Sequence, residues 1–320
     1  MDRNLALEFV RVTEAAAVAA AHWIGRGDKL KADGAAVDAM REFFNQIDFS
    51  GRVVIGEGKK DEAPELYTGE KVGKGGRPAL DIAVDPLECT DSVAFGRYNA
   101  LSVIVAGTKG SLLSAPDTYM EKIAAGPKAA KVINLDASVA TNIQKTAKAL
   151  GKSVGDITVV ILDRERHQDL IKEVRKAGAR VRLITDGDVA GAIAPSIPES
   201  GIDLLMGIGA SAESVLAAAA VKALGGELLV RFKSKDEHQQ KLVTKAGLNE
   251  KKIYKAKDLV QGDGFTFTAT GVIDGPLLDG VRFTATGAIT HSLIIRGASG
   301  TVRYMTTHHR RDPKGGFYSS

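Results

Sequence analysis

Cysteine is almost absent from this chain: Cys89 is its only one, so no intramolecular disulfide can form, which suits a reducing cytoplasm. Charge of one sign is lacking as well. The 43 basic and 39 acidic residues leave a net +4, and only 5% of residues are aromatic, few of them interleaved with Lys/Arg clusters. Phosphate-backbone binding and base stacking both lose their usual signature, so no nucleic-acid partner is expected. Long hydrophobic runs are missing too. The alanine- and valine-rich stretch from Ala15 to Ala21 follows Asp2, Arg3, Glu8, Arg11 and Glu14, and is far too short for a membrane span or an uninterrupted signal core. What is present is an ordinary globular balance, 44% apolar and 26% charged over 320 residues, compatible with small anionic substrates.

Apolar residues at helical spacing (Leu5, Phe9, Val12, Ala16, Ala19, Trp23) predict a helix from Leu5 to Ile24, and a second is predicted over Gly34 to Ile47, with a polar loop from Gly27 to Asp33 between them. Arg52 to Ile55 reads as a strand ending in Gly56-Glu57-Gly58. Strands are also predicted at Leu101–Ala106 and Ser111–Ser114 around a turn at 107–110. From Ile157 onward strand and helix alternate as βα units do, so the expected class is α/β: an α+β domain over 1–152 and an α/β domain over 153–320. The closing residues, His308 to Ser320, read as a loose basic tail.

The most informative segment is Asp85-Pro86-Leu87-Glu88-Cys89-Thr90, which follows the apolar strand Leu80 to Val84. Asp85 and Glu88 then stand where backbone leaves a sheet. Pro86 is expected to stop the ladder, and the turn can feed a helix whose first N–H groups and Thr90 hydroxyl face a phosphate beside a cation. In the second half, each of three predicted strands ends in polar residues: Asp163-Arg164-Glu165-Arg166, Asp186-Gly187-Asp188, and Gly207 to Glu213. Two arginines one residue apart can grip a phosphate, and Asp-Gly-Asp can accept from sugar hydroxyls. Taken singly, these also read as a salt-bridged loop, a turn, and a first-turn helix acid. Gly207-x-Gly209-x-x-Ala212 mimics a dinucleotide fingerprint, but Glu227 precedes its strand instead of closing it, which argues against a nicotinamide cofactor. Glu88 and Asp91 would raise a neighbouring thiol pKa and disfavour Cys89 as a nucleophile. His291 reads as a strand histidine and His308-His309 as part of the tail.

With these residues assembled, the chain resembles the class II fructose-1,6-bisphosphatases over nearly its whole length. The likeness runs through Arg11 to Glu14, Gly25 to Lys29, Ala32 to Ala36, Val54 to Gly58, Asp61 to Pro64, the six-residue motif, Ala115 to Lys122 and Thr268 to Gly271. The resemblance implies a layered αβαβα sugar-phosphatase fold using two or more Mg2+ or Mn2+ ions. It implies Asp33, Glu57, Asp85, Glu88 and Glu213 as metal ligands, with Lys29, Asp61 and Thr90 needed for activity. Substrate would meet Glu88, Cys89, Thr90, Tyr119, Arg164, Glu165, Arg166, Asp186, Gly187, Asp188 and Ala210. A metal-activated water oriented by Thr90 would attack the 1-phosphate of fructose 1,6-bisphosphate in line, leaving fructose 6-phosphate, a gluconeogenic step, while Arg164, Arg166 and Tyr119 hold the 6-phosphate. The family also implies a homo-oligomer, dimer or tetramer.

Open alternatives are a dual fructose-/sedoheptulose-bisphosphatase, an inositol phosphatase, and a catalytically silent sugar-phosphate sensor. Three positions depart from the family pattern: Cys89 and Ala210 replace glycines, and Lys59 stands where an acid is common. Because a side chain at positive φ costs about 1 kcal/mol or more, residue 89 is expected to have ordinary φ. Whether Cys89 is a tolerated small side chain or a thiol-sensitive one stays open.

Overall fold

A computed structural model describes residues 3–58, 66–311 and 317. In chain order the elements are α1 (Arg3–Ala21), α2 (Lys29–Phe44), β1 (Ser50–Ile55), β2 (Lys71–Val72), β3 (Ala79–Glu88), α3 (Thr90–Ala94), β4 (Ala100–Thr108) and β5 (Tyr119–Ala125). Then follow α4 (Val139–Leu150), β6 (Thr158–Leu162), α5 (Gln168–Lys176), β7 (Arg180–Ile184), α6 (Val189–Ile193), β8 (Leu204–Ala210), α7 (Ser211–Ala223), β9 (Glu227–Phe232) and α8 (Glu237–Lys245). The chain closes with β10 (Tyr254–Lys255), α9 (Ala256–Leu259), β11 (Phe265–Ile273), β12 (Arg282–Thr284), β13 (Gly287–Arg296) and β14 (Thr301–Arg310). This is an α/β fold with two mixed sheets. Among the described residues no helix is long and apolar enough to cross a membrane.

The chain forms two units, one of Met1–Leu112 with Asp263–Ser320 and one of Leu113–Gly262. The expected boundary at 152/153 does not coincide with this division. Strand β5 lies upstream of that boundary, yet it pairs with β8 and β9 of the second unit, while β11 pairs with β4 of the first and brings β13 and β14 into the same sheet.

In the first unit the sheet order is β12-β13-β11-β4-β3-β1-β2, with β14 paired to β13. Helix α1 buries Phe9, Val12, Ala16 and Ala20, and its small side chains let it pack closely on its neighbours. Phe9, Phe44 and Phe49 are fully buried, and Phe9 meets Phe44 and Phe49 edge-on at 6.0 and 5.3 Å, geometry worth about 1 kcal/mol per pair beyond burial. Helix α2 begins five residues before the predicted Gly34, because Asp28 Oδ1 accepts from Lys31 N at 3.1 Å and caps it; residues 29–33 of the predicted loop are helical. The strand expected at Ser111–Ser114 reduces to a single bridge residue, Leu112, and the segment expected as a tail instead forms β14 as far as Arg310. His309 is opposite Ala288 in that hairpin.

The second unit has sheet order β10-β9-β5-β8-β6-β7, with β6 parallel to β7 and β8 and with β5 antiparallel to β8 and β9. Ile123, Ile143, Ile157, Val159, Ile161, Ile171, Val174 and Leu204 form its core. The carboxyl ends of β6, β7, β8 and β9 and the amino end of β5 therefore share one edge, where ligands of such sheets gather.

Candidate active site

In the first unit, β3 does not stop at Pro86. It pairs Asp85 with Val103 and Glu88 with Leu101, three residues against two, so one extra residue is accommodated as a bulge where proline offers no N–H. Residues three apart in a regular strand face opposite ways; the bulge puts Asp85 and Glu88 opposite two residues of β4 that share a face. Glu88 is buried.

The turn into α3 is made by Cys89 at φ +74°, the left-handed region. Ordinary φ was expected there, and the correction has a physical reason: the strand must reverse into a helix within one residue, a step glycine makes without strain. The thiol side chain is buried, and its Sγ accepts from Asn99 Nδ2 at 3.7 Å. Thr90 opens α3 and its hydroxyl donates to Leu87 O at 3.2 Å. Its one proton is thus committed, and its lone pairs remain to accept from a water. Lys29, at the start of α2, lies 3.7 Å from Asp91 of α3.

One turn into α2, burial pushes the Asp33 carboxyl above its ordinary value. Glu57 follows β1, its N–H donating to Leu66 O at 3.0 Å. A Cβ at Gly56 would meet Leu66 O at 2.0 Å, so glycine is required beside Glu57. Asp61 and Lys59 lie outside the described residues, as does the rest of Asp61 to Pro64.

In the second unit the arginines following β6 are held by backbone carbonyls. Arg164 donates to Thr185 O and, at 3.1 Å, to Asp186 Oδ1; Arg166 donates to Ile208 O at 3.2 and 2.9 Å. Gly187, at φ +56°, turns the chain between Asp186 and the buried Asp188, and Glu165 is exposed in the short turn joining the arginines. Tyr119, at the head of β5, lies opposite Ala210 at the end of β8.

Below this rim Lys122 and Asp188 form a buried ion pair at 2.8 Å, and Lys122 also donates to Ala210 O at 3.1 Å. Glu213, in the first turn of α7, is pushed up to about 7 by burial and then by the Asp188 charge, against which Lys122 acts. Its Oε2 is buried with no hydrogen-bond partner.

Sequence reasoning missed Lys122 and His167. His167 Nε2 accepts from Ile208 N at 2.8 Å, so Nδ1 carries the proton donated to Leu162 O at 2.8 Å. His167 and the Lys122–Asp188 pair explain the dinucleotide look-alike. A Cβ at Gly207 (φ +149°) would crowd the His167 ring at 3.1 Å, and one at Gly209 would strike Asp188 Oδ2 at 2.1 Å. The glycines make room for side chains, not for a pyrophosphate.

Among the described residues no three acidic, histidine or cysteine side chains converge to hold a metal ion. The donor chemistry nevertheless fits a hard divalent cation. Asp33, Glu57, Asp85 and Glu88 of the first unit offer only carboxylate oxygen, and so does Glu213 of the second, whose buried Oε2 has no hydrogen-bond partner.

The family model described as "Bacterial fructose-1,6-bisphosphatase, glpX-encoded" matches residues 3–309. The chain is 45% identical over 325 residues to the Haemophilus influenzae protein named fructose-1,6-bisphosphatase class 2, covering 98% of each. It is 46% identical over 330 residues to the Escherichia coli K12 protein named fructose-1,6-bisphosphatase 1 class 2, again covering 98% of each.

Proposed function

The chain belongs to the bacterial, glpX-encoded fructose-1,6-bisphosphatase family, and from that premise we propose a metal-dependent phosphatase whose chemistry is divided among the residues described above. It hydrolyses fructose 1,6-bisphosphate to fructose 6-phosphate and phosphate. Asp33, Glu57, Asp85, Glu88 and Glu213 would hold Mg2+ or Mn2+, which when bound neutralises phosphate oxygens and acidifies water. The observation that carries the reading is the bulge that turns Asp85 and Glu88 to one face immediately before Thr90.

The protein's own groups then have distinct tasks. Thr90, its proton given to Leu87 O, accepts from the attacking water and aims a lone pair of that water at phosphorus, opposite the leaving O1 of the sugar. The 1-phosphate is assigned to Glu88, Cys89 and Thr90, with Lys29 and Asp61 supporting activity. Tyr119, Arg164 and Arg166 bind the 6-phosphate, while Asp186 and Asp188 accept from sugar hydroxyls. Carbonyl tethers hold both guanidinium groups in place before substrate arrives, so less side-chain entropy is lost on binding.

A phosphate-release panel tests this reading: fructose 1,6-bisphosphate, sedoheptulose 1,7-bisphosphate, inositol phosphates and nucleotide phosphates, each with Mg2+ or Mn2+ and with EDTA. Turnover of fructose 1,6-bisphosphate that EDTA abolishes is expected. Binding of the bisphosphate without phosphate release from any compound would indicate a silent sensor.

A further inference from the structure

Tyr119 carries two positive charges, and only one of them has a polar anchor. The Lys235 ammonium lies 3.6 Å from the centre of the phenol ring, and the Arg166 guanidinium lies 5.4 Å from the same centre. Arg166 is satisfied in part by Ile208 O, and the neighbouring Arg164 by Thr185 O and Asp186. Among the described residues no carboxylate pairs with Lys235, whose ammonium lies over the ring face. A cation–π contact at an exposed site is worth only about 0.5–1 kcal/mol, and it leaves the ammonium's three donors unused.

Nor is Lys235 an ordinary wandering surface lysine. Its backbone N–H donates to Gln239 Oε1 at 2.8 Å, Asp236 caps α8 by accepting from Gln239 N at 2.8 Å, and Ser234 donates to Glu250. Two residues earlier, Lys233 N donates to Tyr119 O at 2.8 Å. The loop after β9 is thus fastened both to the head of β5 and to the first turn of α8, and it returns the ammonium to the ring. Arg166 and Lys235, held over one ring, repel each other until an anion arrives between them.

We infer that Lys235 is a further substrate-binding residue, a ligand of the phosphate on the sugar carbon far from the reaction. This rests on the reading of Tyr119 and Arg166 as the distal-phosphate residues. A phosphate dianion offers three acceptor oxygens, enough for the Tyr119 hydroxyl, a free Arg166 N–H and the Lys235 ammonium together. The consequence is specificity: the third donor rewards a bisphosphate over a monophosphate.

The test compares metal-loaded wild type, Lys235→Ala and Lys235→Arg. With fructose 1,6-bisphosphate, Lys235→Ala should raise KM about tenfold with kcat within about twofold, and Lys235→Arg should recover most of the loss. The ratio of kcat/KM for fructose 1,6-bisphosphate to that for fructose 1-phosphate should fall by the same factor. Calorimetric binding of fructose 6-phosphate, which needs no turnover, should weaken about tenfold. An unchanged preference ratio together with unchanged fructose 6-phosphate affinity would overturn the inference. A wild type that fails to cleave the bisphosphate, while Lys235→Ala still weakens fructose 6-phosphate binding, would overturn the assigned reaction and leave Lys235's role standing.

Discussion

Asp85 and Glu88 are three residues apart in β3 but stand opposite Val103 and Leu101, two residues apart in β4, so the bulge between them turns both carboxylates to one face. Acids that share one ion act as a unit. Asp85→Asn and Glu88→Gln should each weaken Mn2+ binding by roughly a hundredfold, and the double variant should lose little more than either single. Calorimetric Mn2+ titration of the four proteins checks this; additive losses would mean independent sites.

On the proposed role, in which the Thr90 hydroxyl contributes more to orienting the water than to holding the 1-phosphate, Thr90→Ala should cut kcat at least about a hundredfold while leaving KM within a few-fold. Thr90→Ser, which keeps the hydroxyl, should retain much of the activity. Steady-state kinetics distinguishes the cases, and near-normal kcat in Thr90→Ala would remove the water-positioning role.

The Lys122–Asp188 pair is almost wholly out of solvent, with side chains 1% and 5% exposed. Lys122→Met should therefore cost about 3–5 kcal/mol by stranding the Asp188 charge, whereas Lys122→Met combined with Asp188→Leu should recover most of that. Urea unfolding of the wild type and the two variants measures both the loss and its recovery.

At Cys89 the backbone conformation and the side chain disagree. Cys89→Gly should be neutral to stabilising, by up to about 1 kcal/mol, since relief at φ +74° is offset by the loss of a buried side chain. Cys89→Val, β-branched in the left-handed region, should cost about 1–3 kcal/mol. Denaturant midpoints decide between strain and ordinary packing.

Glu14 and His309 both bond Thr290, at 3.2 and 2.8 Å, and burial favours the neutral form of each. The Glu14 pKa is raised, so its contribution is complete below pH 4.5 and is lost as pH rises through the higher folded value. That of His309 is lowered by burial and by His308, so its contribution is complete above pH 6.5 and is lost as pH falls through the lower folded value. His309→Gln should therefore flatten the loss of stability on acidification below pH 6.5, and Glu14→Gln should flatten the decline above pH 4.5. Urea midpoints across this range test both signs.

Much of this molecule was legible from local pattern. The helical spacing of Phe9, Val12 and Ala16, the βα alternation after Ile157, and the polar residues closing β6, β7 and β8 are short-range signals, because burial repeats with the period of the element. The motif from Asp85 to Thr90 and the length of the family likeness likewise needed only the order of residues.

Tertiary structure alone decided which strands pair and in what register. It sent β5 to the second sheet and β11 to β14 back to the first, and it inserted the bulge that makes Asp85 and Glu88 neighbours on a face. It also set Cys89 at positive φ and brought Lys122 to Asp188, His167 to Gly207 and Lys235 to Tyr119. The contacts of Lys122 with Asp188, His167 with Gly207 and Lys235 with Tyr119 join residues at least 40 positions apart. They are selected by the closing of sheets and by the cost of leaving buried charge and backbone unpaired, and no periodicity in the chain records that selection.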